Sequence, residues 1–160
     1  MLVLPKRFYF AILLLLFVGF GLQLKAEVIL SNGQTLYVPV YSKILVGGRG
    51  NFLELSAMLS ICNTDMHHKI ILESLAFYDN DGKFIAEYLE EPLVLNPLAS
   101  HHIFLKESEN KGGIGANFIV RWRSVKPVNP PLAECTMIGT KSGQGISFTS
   151  SGHEITAENH

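Results

Sequence analysis

Beyond residue 26 the chain alternates apolar and polar side chains with a period of two, and turn residues break the alternation about every 8–12 positions. That is the rhythm of an all-β sandwich or barrel. No stretch there keeps a helical period for three turns. Leu36, Val38 and Val40 alternate with Thr35, Tyr37 and Tyr41. Leu53, Leu55, Ala57, Leu59 and Ile61 form the longest single-face stripe, opposed by Glu54, Ser56 and Ser60, and predict the central buried strand. Ile71, Leu75 and Phe77 follow on the next strand. Asp79-Asn80-Asp81-Gly82-Lys83 then reads as a hairpin turn, because Asp-Gly supplies the positive φ that a tight turn needs. Further strands are expected at residues 84–89, 101–106, 116–122, 132–139 and 146–149. The expected fold class is all-β: an immunoglobulin-like antiparallel β-sandwich of about eight strands over residues 35–150. Residues 27–34 read as a linker and 151–160 as a flexible tail.

If each strand crosses the domain, successive loops alternate between its two ends. One end then receives residues 42–51, 79–83, 107–115 and 139–145, and the other 63–69, 90–100 and 123–131. Composition divides the same way. Of the 12 glycines beyond residue 26, 10 fall at the first end, and of the six prolines there, five fall at the second. Glycine permits close backbone approach, whereas proline stiffens a connection and removes donors. One end is therefore expected to be pliant and rich in backbone donors, and the other rigid.

Residues 1–26 follow a different rule. Lys6 and Arg7 precede an uncharged, largely apolar run from Phe8 to Leu24, the layout of a helical secretory signal peptide. Cleavage is expected after Ala26, with Gly19 and Gly21 offering a second small-x-small site. The 17 uncharged residues 8–24 also reach the lower limit of a bilayer span, so an uncleaved N-terminal anchor is the competing reading. Cysteine is absent near the junction, which excludes a lipid-modified N-terminus. Either way the domain is expected in an exported, oxidising space. Its 134 residues can bury a core without metal or disulfide. With 10 basic and 14 acidic side chains it carries a formal charge of −4, which tells against nucleic acid and anionic lipid as partners. Membrane contact is expected only through residues 8–24, where the leader stays uncut.

The candidate chemistry is sparse. Met66-His67-His68 and His101-His102 fall at the same end by loop parity, and two histidine pairs beside a thioether suit copper, or zinc if the methionine is a bystander. No established metal spacing accompanies them, and polar loop histidines are the plainer reading. Cys62 and Cys135 form an even count in an exported chain, which favours a bridge. Against it, Cys62 shares the polar face of Ser56 and Ser60, whereas Cys135 shares a face with Ala133 and Met137. Trp122 between Arg121 and Arg123 reads as a core filler with solvated flanks before it reads as a cationic ligand edge. The loops at 111–115 and 139–145 lack the P-loop pattern and a following helix, so turn chemistry is the better account. Neither G-x-S-x-G nor His-Glu-x-x-His occurs, and His153 beside Ser150 and Ser151 is the local pair nearest to a hydrolase constellation. No enzyme is expected.

Several strings carry a resemblance: LYVPVYS at 36–42, LSICNTD at 59–65, YDNDGK at 78–83, GGIGANFIVRWR at 112–123 and NPPLAECTMIGTKSGQGISFTS at 129–150. Together they resemble an uncharacterised family of exported bacterial proteins, domain of unknown function 3124, over about residues 34–150. The resemblance implies a single bacterial domain, secreted or envelope-associated, and no transferable activity. The expected function is a non-catalytic binding or interaction module of the bacterial envelope, without cofactor, whose partner is an envelope protein or a small ligand. Its site is expected at the glycine-rich end, where Gly112, Gly113, Gly115, Asn117, Gly143 and Gln144 could present backbone donors and amides. The alternative is a periplasmic copper- or zinc-binding protein using Met66, His67, His68, His101 and His102.

Overall fold

The computed structural model describes residues 29–47, 50–108, 110–140 and 145–155. Its strands are β1 (Ser31–Val40), β2 (Lys43–Val46), β3 (Asn51–Glu54), β4 (Ser56–Cys62), β5 (Ile70–Tyr78), β6 (Phe84–Glu87), β7 (Leu93–Leu95), β8 (Ser100–Leu105), β9 (Ala116–Val128), β10 (Leu132–Gly139), β11 (Ile146–Ser151) and β12 (His153–Ile155). One sheet runs β12-β1-β9-β5-β6, with β7 also on β5; the second runs β11-β10-β4-β8; β2 and β3 form a separate hairpin. All pairings are antiparallel.

The period-two pattern explains what lies between the sheets. Leu36, Val38 and Val40 of β1 and Phe118, Val120 and Trp122 of β9 face Ala57, Leu59 and Ile61 of β4 and Ala133, Cys135 and Met137 of β10 in one buried cluster. Phe77, Phe118 and Tyr88 stack within it, with Phe77 and Phe118 ring centroids 4.8 Å apart. Burying such side chains contributes about 1.5–3 kcal/mol each. The part of the longest stripe from Ala57 to Ile61 forms the centre of its sheet as β4, flanked by β10 and β8, whereas Leu53 belongs to β3 and pairs with Ile44 in the separate hairpin. Trp122 is buried while Arg121 and Arg123 project outward, Arg123 onto Glu73 at 2.6 Å. The turn after β5 is as the sequence predicts: Gly82 has φ 74°, and the Asp79 carboxylate accepts from the backbone N–H groups of Asp81 and Lys83.

Four expectations need correction. Twelve strands are present among the described residues rather than eight. The short pieces β2, β3 and β7 are too brief to show a period. Residues 31–34 belong to β1 rather than to a linker, and β9 continues to Val128, because a bulge between Ser31 and Gly33 accommodates the longer strand. The segment after 150 is not a tail throughout: the chain leaves the second sheet after Ser151, turns at Gly152 and pairs with β1 as β12. Gly152 lies where a side chain would press on Val38 and Ala133, and its N–H donates to the Ala133 carbonyl. Finally, Ile71 is not on the core face. β5 shifts register between Leu72 and Ser74, so Ile70 and Leu72 point inward before the bulge and Leu75 and Phe77 after it. A bulge of this kind re-aims the side chains around it.

The cysteines are free. On the adjacent strands Cys62 pairs with Leu132 and Cys135 with Leu59, an offset of three residues. That separation is about 10 Å along the strands, on opposite faces, beyond the span of a disulfide. Burial pushes the Cys135 thiol up to about 12. Thiol titration without reductant should therefore find two thiols in denaturant, with Cys135 silent in the folded protein. A count of zero in denaturant would overturn the free-cysteine assignment.

Candidate functional site

Loops gather at the two ends as parity requires, and each end is held by its own chemistry. At the glycine-rich end, Ser42 N–H donates to the Gly113 carbonyl, Asn80 N–H to the Gly112 carbonyl and Leu55 N–H to the Ser42 carbonyl. A Cβ at Gly112 would sit 2.6 Å from the Ala116 side chain and 2.8 Å from Phe77. Gly113 has φ 80° and lies against the Asn80 side chain. These glycines exist so that backbones can touch. Gly115 is near only Asn80, and Asn117 is half-buried on β9, paired with Pro39 and Tyr78. Gly143 and Gln144 lie outside the described residues. Gly112 and Gly113 are thus occupied in packing, and a substitution at either reads out folding rather than binding.

The proline-rich end is organised by two buried polar residues just after β4. The Asn63 side-chain amide, 1% exposed, donates to the carbonyls of His68 at 2.9 Å, Leu95 at 3.2 Å and Asn96 at 3.0 Å, while its Oδ1 accepts from Asp65 N–H at 3.0 Å. The Asp65 carboxylate, 7% exposed, accepts from the N–H groups of His67 and His68 through Oδ1 and from Asn129 N–H through Oδ2. His68 Nδ1 lies 3.2 Å from the same Oδ1. Thr64 Oγ1 donates to the Pro130 carbonyl and Ser124 Oγ to that of Lys69. Three loops are locked together by side chains whose hydrogen bonds run to the main chain of neighbouring loops. The His67 N–H holds the Asp65 carboxyl down to about 2; burial opposes this, and the His68 N–H, the Asn129 N–H and the His68 ring reinforce it.

On the outside of this clamp is a groove of about 440 Å³. His67, His68, Lys69 and Ile71 form one wall, Asn96 and Pro97 a second, and Ser124, Val125 and Lys126 a third. Ile71 reaches it because of the β5 bulge. Val125 is 79% exposed at its rim. The signal that could have located this groove was present in the string CNTD, a buried Asn and Asp with two residues' spacing, but a sequence does not say which polar residues turn inward.

The two histidine pairs occupy the same end without forming a ligand set. His101 turns toward the core side of β8, its Nε2 buried without a partner, and burial followed by repulsion from His102 lowers its pKa below the ordinary imidazole value. His102 faces outward, with Nδ1 3.1 Å from Ser60 Oγ and Nε2 3.3 Å from Ser100 Oγ. Among the described residues no group of three or more His, Cys, Asp or Glu side chains could hold a metal ion. The Ser60-His102-Ser100 row is a histidine–hydroxyl contact that sequence reading missed, because the residues sit on two strands. It lies on the outer face of the sheet, with a hydroxyl where a hydrolytic triad has an orienting carboxylate.

The family model described as Protein of unknown function (DUF3124) matches residues 33–155. The chain belongs to this family. The match ends at the last residue of β12, so this family domain includes the strand that crosses between sheets. No curated protein matches the chain. It is similar to Thermotoga maritima 1070, known from a crystal structure, with 18% identity, coverage of 75% of this chain and 92% of that one, and a TM-score of 0.43.

The clamp makes stability depend on acid. The Asp65 carboxyl titrates lower in the folded protein than its ordinary 3.8. Its contribution is therefore complete above that ordinary value and is lost as pH falls through about 2. Denaturant unfolding across this range should show a falling acid limb that Asp65→Asn flattens while lowering stability at neutral pH. Asn63→Ala should cost about 3 kcal/mol, because it strands three carbonyls. Wild-type stability above pH 5 in either variant would overturn this role for the pair.

Proposed function

We propose that this protein is an exported, non-catalytic interaction module of the bacterial envelope and that its contact surface is the groove at the proline-rich end. The observation that carries the reading is the groove itself: an open, largely apolar concavity whose walls come from three loops made rigid by Asn63 and Asp65. Pre-organised walls reduce the ordering cost of binding. Concave surfaces lined by apolar groups with a few polar ones are where ligands and partners seat. Export is supported by the layout of residues 1–26.

An immunoglobulin-like description is supported at the level of the central strands. Numbering the long strands in chain order, the second pairs with the strand after the β6-β7 excursion (β4 with β8), and the third pairs with β9 (β5 with β9). These are the pairings of strands B with E and C with F in that fold. β1 and β10 sit on the sheets opposite to those of their immunoglobulin counterparts. His67 and His68 line the groove and Met66, next to them in the chain, is exposed; no metal enters the proposal.

A photo-crosslinking residue at Val125, in the full chain produced with its leader in a bacterial cell, should give a discrete adduct. The same group at Phe84, near the opposite end, should give none. Adducts from Phe84 and none from Val125 would place the contact surface elsewhere.

A further inference from the structure

Building on the placement of the contact surface at the proline-rich end, we propose that this end seats on an anionic bilayer surface, with Lys69 and Lys126 on the headgroups and Met66, Leu98 and Val125 at the acyl boundary. Three independent features converge on it.

The first is where the chain enters. β1 begins at Ser31, opposite Val128, and the Asn32 amide donates to the Ser124 carbonyl. Everything upstream therefore joins the domain at the proline-rich end. The uncharged run from Phe8 to Leu24 lies in that upstream part. From Leu24 to Ser31 the chain extends at most about 25 Å. For as long as residues 8–24 occupy a membrane, this end and not the glycine-rich one is held against it.

The second is charge. Residues 63–69, 95–100 and 124–131 contain a single carboxylate, that of Asp65. It is buried and committed to three backbone N–H groups. Lys69 and Lys126 stand at the groove with His67 and His68. In a domain with four more acidic than basic residues, the loop segments that line the groove carry no exposed acid, while Glu90 and Glu91 lie outside them, ahead of β7. Juxtamembrane lysines are drawn to anionic lipid headgroups in this way. The overall negative charge, which argues against such lipid for the domain as a whole, does not describe this face.

The third is exposed apolar surface. Val125 is 79% exposed, and Met66 and Leu98 are each 67% exposed. Leu98 holds φ at 59°, a conformation a leucine seldom adopts, and it does so in a turn closed by Ala99 N–H on the Asn96 carbonyl. The strained backbone presents the side chain to solvent rather than to the core. Apolar side chains beside lysines are the composition of interfacial membrane contacts.

The test uses whatever product a bacterial host exports from the full chain. In a Cys62→Ser background an environment-sensitive dye is attached at Val125→Cys or, at the opposite end, at Phe52→Cys. Vesicles contain phosphatidylcholine alone or phosphatidylcholine with phosphatidylglycerol, each carrying a lipid-borne quencher. The dye at 125 should shift to the blue and be quenched with the anionic vesicles only, and the dye at 52 should not respond. Lys69→Gln combined with Lys126→Gln should weaken the response about 30-fold, at an unchanged melting temperature. High salt should weaken it as well. An equal response to neutral vesicles, no response, or a response at 52 would overturn the proposal. A dye at 125 already shielded without vesicles would also overturn it, and would put the protein's own N-terminal segment in the groove. A protein adduct from Val125 in cells, together with no vesicle response, would leave the interaction module standing and remove the bilayer as its occupant; loss of both would remove the two together.

Discussion

The side-chain amide of Asn63 is the point on which the arrangement turns. Its two protons are shared among three carbonyls from two segments far apart in sequence, and its oxygen takes the N–H of Asp65, whose carboxylate then takes a third segment. A buried amide is tolerated only when it is fully satisfied, and full satisfaction here requires all the loops to be in place at once. The polar cluster thus works as a geometric specification. Apolar packing between the sheets would accept small slips of these loops, but the amide does not.

The two ends of the sandwich solve the same problem by opposite means. At one, glycines let main chains approach until carbonyls and N–H groups meet directly, leaving no room for side chains. At the other, side chains stand in for the missing main-chain partners, because prolines have removed donors there. The second solution has a by-product. Loops tied from the inside need not fold their outer side chains over one another, so Val125, Met66 and Leu98 are left facing outward on a stiff frame. The bulge in β5 adds Ile71 to the same frame.

How much of this was legible follows from the range of each signal. Alternation is local, so the faces of β4, β9 and β10, the inward Trp122 and the Asp79–Lys83 turn could all be read from the residues. Loop parity needed only the strand count along the chain, and it put the correct loops together even though β2, β3 and β7 were missed. It survived because β2 and β3 make a closed hairpin and β7 continues in the direction of β6. The phase of Ile71 was not legible, since a bulge is recorded in the partner's register and not in the strand's own composition. The packing role of Gly112 and Gly113 was hidden for a related reason: glycine allows both ligand approach and tight packing, and only the neighbours decide between them. Asn63 and Asp65 are separated by one residue in the sequence, and nothing in that spacing announces that they face inward.

Gly152 carries a consequence for how the protein comes into being. The chain's first strand is flanked by β9 on one side and β12 on the other, and β12 forms from the last described residues, reached only after the turn at Gly152. Contacts of such long sequence separation form late and slowly. A polypeptide threaded across a membrane N-terminus first would arrive with β1 as an open edge, inviting any passing strand. It can shut that edge only when its own C-terminal residues have come through. In a chain so threaded, folding would be tied to the arrival of β12 rather than to the progress of transit, with that strand closing the edge that β1 leaves open.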